Sequence, residues 1–205
     1  GFKSVSTIPC GAIPLCPYDS CRLLAINLYS YVVKPFTKEA HFDFELFKKH
    51  VQLAQRIMDD IIDLESEKIE QILTKVDSDP ESMEIKQTER HLWEKIQKKT
   101  LLGRRTGVGI TAEGDMIAAL GLRYGTEDAT AFAENVQKTL ALAAYRSSVT
   151  MAKERGAFQI YDAKREQKNP FINRLREADE ALYKDMVKYG RRNIACLTIA
   201  PTGTT

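Results

Sequence analysis

Three of the chain's four cysteines, Cys10, Cys16 and Cys21, sit close together near its amino end. A thiol can serve as nucleophile, metal ligand or redox centre, and spacing narrows that choice. Five residues separate the first pair and four the second, so no Cys-x-x-Cys pair occurs. His41, His50 and His91 are scattered through charged stretches. Structural zinc sites use tighter spacings, so no metal site is expected. A plain thiol oxidoreductase built on Cys10 and Cys21 lacks redox-motif spacing and any visible means of lowering a thiol pKa. Pro9, Pro14 and Pro17 share the same stretch. Proline fixes φ and removes a backbone donor, so residues 7–21 are predicted to form a stiff, irregular loop. An apolar run follows at once. A stiff thiol-bearing loop anchored to a buried strand points to cysteine chemistry rather than to a surface linker.

The rest of the chain must position that loop. Its 205 residues suit one domain or a little more, and 43% hydrophobic content is enough for a core. No apolar run approaches the ~20 residues of a membrane span. No basic region followed by an apolar stretch opens the chain, so no signal peptide and a cytoplasmic location are expected. Thirty basic residues against 28 acidic ones argue against a large nucleic-acid footprint. In such a sequence the cysteines read as thiols, not as a disulfide scaffold.

Residues 22–33, rich in Leu, Ile, Tyr and Val, read as a buried strand. From Asp43 the period changes: Phe44, Phe47, Val51, Ala54, Met58 and Ile61 form one face of an amphipathic helix. Asp79 followed by Pro80 reads as an N-cap and first helical position, opening a charged surface helix to residue 99 with a sparse stripe of Ile85, Leu92 and Ile96. Gly107 and Gly109 flank Val108. This Gly-x-Gly suits either a phosphate or a tight backbone crossing inside a sheet, and the crossing is the better reading. Thr111 is the expected cap of a short helix to residue 122. Thr126 caps the clearest helix, with Ala129, Phe132, Val136, Leu140 and Ala143 inside and Gly156 at its end. After a loop closed by Asn169-Pro170, one helix is expected to carry Leu175, Ala178, Leu182 and Met186 and stop at Gly190. Residues 193–199 read as a last strand. It runs into Pro201-Thr202-Gly203-Thr204-Thr205, whose hydroxyls and glycine beyond a strand's carboxyl end suit an anion. No helix follows, which looks like half a motif and suggests a piece of something longer. Strands alternating with helices indicate α/β with parallel strands, helix-rich, and three strands are too few to close a barrel.

Four segments, in order, resemble the catalytic large subunit of ribonucleotide reductase, and most closely its adenosylcobalamin-dependent class. They are Pro9-Cys10-Gly11 with Pro14-Leu15 and Cys21; Arg104-Arg-Thr-Gly-Val-Gly-Ile-Thr111; Gly121-Leu-Arg-Tyr-Gly125 with Ala143-Ala-Tyr-Arg-Ser-Ser148 and Lys153-Glu-Arg-Gly-Ala-Phe158; and Arg192-Asn-Ile-Ala195 through Ala200-Pro-Thr-Gly-Thr-Thr205. The resemblance implies a single, incomplete part of a ten-stranded α/β barrel over residues 1–205. Its parts would be a finger loop (1–21), a strand (22–33), helices (43–99), a strand plus helices (104–189), and a strand with a phosphate loop (193–205). It implies that Cys10 is the radical cysteine, which as a thiyl takes the ribose 3′ hydrogen. Cys21 would be one of two cysteines that reduce the 2′ position, its partner lying outside this chain. Gly11 beside Cys10, and Pro201, Thr202, Gly203, Thr204 and Thr205, would hold substrate, the latter five its phosphates. Adenosylcobalamin, a ribonucleotide, a thioredoxin-like reductant and the missing remainder of the reductase are the implied cofactor and partners. Cys16 matches no such role and reads as a small apolar filler.

The chain departs from that pattern at two positions. The family places Asn two residues before the radical cysteine and Glu two after it; here Ile8 and Ala12 stand there. Isoleucine cannot hold a substrate hydroxyl and alanine cannot act as general base. The chain alone is therefore expected to be inactive. The alternative is a non-catalytic descendant of the fold that self-associates through exposed strand edges and apolar faces.

Overall fold

The computed structural model describes residues 3–201. The chain begins with a small antiparallel hairpin, β1 (Ser6–Thr7) and β2 (Pro14–Leu15), with Ser6 opposite Leu15 and Thr7 opposite Pro14. A bend through Tyr18, whose φ is +63°, leads into β3 (Arg22–Asn27). The strand expected over 22–33 is thus shorter. Asn27 ends it by accepting a hydrogen bond from the Tyr29 amide, which caps a 3-10 turn over Leu28–Tyr31. The short β4 (Val32–Val33) then pairs away from β3, antiparallel to β5 (His41–Phe42).

Two long helices follow. α1 (Phe44–Ser78) is capped by Asp43 and buries Phe47, Val51, Ala54, Met58 and Ile62. Ile62, not the expected Ile61, continues the stripe, because steps of four and three must average 3.6 residues. α2 (Met83–Gly103) folds back along α1 and buries little beyond Thr100 and Gly103, as its charge predicts. Asp79 does not cap it. That residue closes α1 through its own amide and pairs with Lys75, and Ser82 serves as the N-cap instead.

β6 (Thr106–Thr111) pairs in parallel with β3, with Leu23 opposite Gly107 and Ala25 opposite Gly109. The α/β character with parallel strands is as expected. Thr111 belongs to this strand, so it is Ala112, in the left-handed region, that precedes α3 (Glu113–Ala119), with no side-chain cap. α4 (Glu127–Arg155) is capped by Thr126 and ends at Gly156. Its amino half buries one stripe. From Ala143 to Ala152 it is buried on nearly every side, by α1, α7 and the tail.

The short α5 (Ala163–Glu166) lies within the expected loop. The single helix expected to carry Leu175 and Met186 is two: α6 (Pro170–Ala178) and α7 (Glu180–Tyr189). Asp179 separates them. Its backbone is extended, its amide closes α6, and its carboxylate caps α7. Beyond Gly190 the tail runs extended beside β6 on the side away from β3. It makes one isolated parallel bridge, Val108 to Leu197, rather than the regular strand expected over 193–199. Among the described residues no helix is long and apolar enough to cross a membrane.

Candidate functional site

The hairpin turn holds Cys10. Backbone bonds frame it: the Ile8 amide donates to Ile13 O at 3.0 Å, and the Gly11 amide donates back to Ile8 O at 2.8 Å. That reversal leaves Gly11 with φ +77°, a conformation that costs glycine nothing. Cys10 is exposed at the tip, whereas Cys16 is buried at the base, in the filler role expected of it. The base is tied down by an ion pair: Arg105 Nε donates to Asp19 Oδ2 at 2.9 Å, with both side chains nearly inaccessible.

Cys21 sits where the loop enters β3, half-buried. Its thiol contacts the Arg22 carbonyl at 3.6 Å. Burial pushes the thiol up to about 11; Arg105 and Arg22 pull the other way, and Asp19 and Cys10 add to the rise. Arg22 itself is buried, paired with Glu65 of α1 and donating to Thr100 Oγ1 of α2 at 3.0 Å. The first residues of β3 are thus pinned to the helices behind them.

Tail and β6 meet at two glycines. A Cβ built on Gly109 would overlap the Thr198 carbonyl oxygen. One on Gly107 would lie 2.5 Å from Thr198 Cγ2 and 2.9 Å from Cys21 Sγ. The crossing reading of this Gly-x-Gly holds: the glycines are there so that the tail can lie on β6. The tail amides and carbonyls knit to it. Val108 donates to Cys196 O at 2.8 Å, Thr198 to Val108 O at 3.2 Å and Thr106 to Ala195 O at 3.0 Å.

Behind this crossing lies a buried polar network. Asp59, wholly buried on α1, accepts from Arg104 Nε at 2.8 Å, Asn193 Nδ2 at 2.9 Å and Arg192 Nε at 3.2 Å. Burial alone would raise its carboxyl; the hydrogen bonds and charges of Arg104 and Arg192 outweigh that and hold it below the usual range. Asn193 also donates to Arg104 O at 3.0 Å and accepts from Ser148 Oγ at 2.8 Å and Gln55 Nε2 at 3.0 Å. The carboxylates of Asp59, Asp60 and Asp63 gather within 4.8 Å of one another, a spacing that a cation would suit. Guanidinium groups occupy them instead: Arg155 meets Asp60 at 2.6 Å and Arg104 meets Asp63 at 2.7 Å. This cluster is an ion-pair network that fixes α1 to β6 and the tail.

These elements enclose an open cavity of about 610 Å³ whose wall includes Ile8, Cys10, Cys21, Gly107, Thr198 and Pro201. The structure therefore places Cys10, Cys21 and Pro201 around one space. Gly11 lies in the hairpin turn beside it, and Ala12 follows, half-buried. Thr202, Gly203, Thr204 and Thr205, expected to bind phosphates, lie outside the described residues. Sequence reasoning missed the parts played by Thr198, Arg105 and Asp19; Arg105 falls within the Arg104–Thr111 segment, but nothing there marks it as the partner of Asp19. The sign available for the last two was charge alone: an Arg and an Asp flanking apolar runs.

The profile of the ribonucleotide reductase barrel domain matches residues 5–205. A vitamin B12-dependent ribonucleoside-diphosphate reductase of Thermoplasma acidophilum is 30% identical over 199 residues, 97% of this chain and 20% of that protein. A protein of the same name from Mycobacterium tuberculosis is 26% identical over 200 residues, 97% of this chain and 22% of its own length. The ribonucleoside-diphosphate reductase subunit alpha of Chlamydia pneumoniae is 24% identical over 203 residues, 90% of this chain and 17% of that one. The chain thus spans about a fifth of the length of these curated relatives.

Proposed function

The chain belongs to the ribonucleotide reductase barrel-domain family, and from that premise we propose that it forms the thiol-bearing part of a ribonucleotide-reducing site, acting in the cytoplasm with the remaining barrel segments. The observation that carries this is the shared cavity of Cys10, Cys21 and Pro201. Cys10, on its hairpin turn, is the hydrogen-abstracting residue: as a thiyl it takes the ribose 3′ hydrogen and later returns it. Cys21 and a second thiol from outside this chain supply two electrons and two protons. The C2′–O bond breaks, the oxygen leaves as water, and the two sulfurs become a disulfide that a thioredoxin-like reductant reopens. Gly11 and residues 201–205 hold the substrate, the latter its phosphates.

The relatives are named as vitamin B12-dependent. Adenosylcobalamin, when bound, supplies the radical that oxidises the Cys10 thiol. The hairpin fits that role, since Cys10 is exposed and a Cβ on Gly11 would meet nothing within 4 Å, leaving the tip open to approach. β3 pairs with β6 alone among the described residues, so its other edge is free to take a strand of the remaining barrel. Ile8 and Ala12 lack the hydrogen-bonding and basic groups of the family motif, so the chain alone reduces no nucleotide.

The test joins the chain to the remaining segments of the Thermoplasma relative, with Ile8→Asn and Ala12→Glu, and assays ribonucleoside diphosphate reduction with adenosylcobalamin and a dithiol. Turnover that disappears with Cys10→Ala is the expected result. A folded assembly that binds ribonucleoside diphosphate yet shows no turnover, or turnover that survives Cys10→Ala, sinks the reading.

A further inference from the structure

We propose that the Thr198 hydroxyl is the hydrogen-bond partner of the Cys21 sulfur, making Thr198 a positioning residue that sets how readily that thiol gives up its proton. The two come from opposite sides of β6, Cys21 from the start of β3 and Thr198 from the tail. They meet because position 107 has no side chain. A Cβ there would lie 2.5 Å from Thr198 Cγ2 and 2.9 Å from Cys21 Sγ, so methyl and sulfur are no farther apart than those two distances together.

Thr198 is only 7% exposed, and its Oγ1 is buried without a hydrogen-bond partner. Its backbone is held by the amide donating to Val108 O at 3.2 Å, a bond that rotation about χ1 leaves intact. A buried hydroxyl left unpaired is unfavourable, and native structures rarely keep one. Methyl and hydroxyl share one β-carbon, so a step between staggered rotamers puts the hydroxyl where the methyl lies, beside the empty Gly107 Cβ position that the sulfur also borders.

Cys21 has matching need of a donor. As a thiol it spends its proton on the Arg22 carbonyl at 3.6 Å. As a thiolate it loses that contact and becomes an acceptor in a half-buried place. The charged groups acting on it are Arg105 and Arg22, which favour the thiolate, and Asp19 and Cys10, which oppose it; burial opposes it most. The flanking Gly107 and Leu23 carry no charge. The Thr198 hydroxyl is the neutral donor placed to answer ionisation, with a rotamer for each state.

This inference rests on reading Cys21 as the reducing thiol, but its test needs no nucleotide, so the two fail separately. The rate of iodoacetamide labelling of the chain is followed from about pH 8 to about pH 10, where it is proportional to the thiolate fraction of Cys21, by mass spectrometry of the Cys21 peptide, with the exposed Cys10 as internal control. Thr198→Val keeps the shape and removes the donor; it should slow labelling of Cys21 about tenfold at each pH and leave the rate at Cys10 unchanged. Thr198→Ser, which keeps the hydroxyl and deletes the methyl, should retain the wild-type rate. A Val profile that superposes on wild type overturns the proposal. So does an equal slowing in Val and Ser, which would make side-chain shape the cause.

Discussion

Gly109→Ala puts the tail-on-strand crossing to its hardest trial, because the atom in the way belongs to the backbone. The added Cβ would lie 2.0 Å from the Thr198 carbonyl oxygen, well inside contact distance, 3.2 Å from its carbon and 3.5 Å from Ile199 Cα. No rotamer change relieves that. The tail must lift from β6, and the bonds that lift with it are Thr198 to Val108 O at 3.2 Å and Val108 to Cys196 O at 2.8 Å. Each is worth about 1 kcal/mol net. Residual crowding adds about 1–3 kcal/mol. Alanine returns about 0.4–1 kcal/mol by stiffening the unfolded chain. The net loss is about 2–4 kcal/mol, a large part of the ~5–15 kcal/mol of a typical domain. With a urea slope of about 2–3 kcal/mol/M, the unfolding midpoint should fall by about 1 M. Hydrogen exchange should speed up at the Val108 and Thr198 amides before the rest of the chain. A wild-type midpoint with both amides still protected would show that the tail does not lie on β6 as described.

Two further outcomes follow from the ion pairs. Asp59→Ala strips a wholly buried carboxylate from Arg104, Arg192 and Asn193 and should cost about 3–5 kcal/mol at pH 7 in urea unfolding. Because the folded carboxyl is held below its ordinary value, its contribution is present above the unfolded pKa and lost as pH falls through the folded one. The gap between wild type and variant should therefore close on acidification below about pH 4, and a gap independent of pH would contradict the assignment. Asp19→Asn leaves Arg105 buried without its counter-charge. Amides of residues 5 and 8 in the hairpin should then exchange markedly faster while those of α4 stay unchanged; equal protection in both proteins would exclude the Asp19 anchor.

What the sequence showed and what it hid divide along physical lines. Apolar periodicity is a local signal. The α1 stripe was legible except at its end, where Ile62 replaces Ile61. The crossing at Gly107 and Gly109 was legible too, because a missing side chain between β-branched neighbours has few other uses. Caps were harder, since a capping residue can be claimed by something else. Asp79 looked free to open α2 but is consumed in closing α1 and in pairing with Lys75. Asp179 falls inside a regular helical stripe and still breaks it, because capping α7 and pairing with Arg146 at 3.0 Å outweigh one more helical turn. Thr198 gave no sign at all. Its position depends on the tail lying on β6, a contact between segments about ninety residues apart that no local pattern encodes.

The same division explains how Ile8 and Ala12 can occupy the two family positions without dismantling the cavity. The hairpin's hydrogen bonds there are made by backbone: the Ile8 amide, and the Ile8 and Ile13 carbonyls. Cys21 is placed by Arg22, which α1 grips through Glu65 and α2 through Thr100. The tail is placed by Asn193 and Arg192, which α1 grips through Asp59. One helix thus ties β3, which Cys21 precedes, to the tail, through residues far in sequence from positions 8 and 12. On the proposed reading, exchanging an Asn and a Glu for Ile and Ala would remove groups that act on a substrate while leaving the groups that build the cavity untouched. If the proposed reading holds, scaffold and chemistry are separable in this chain, and changing two side chains, rather than redesigning the loop, is the decisive manipulation.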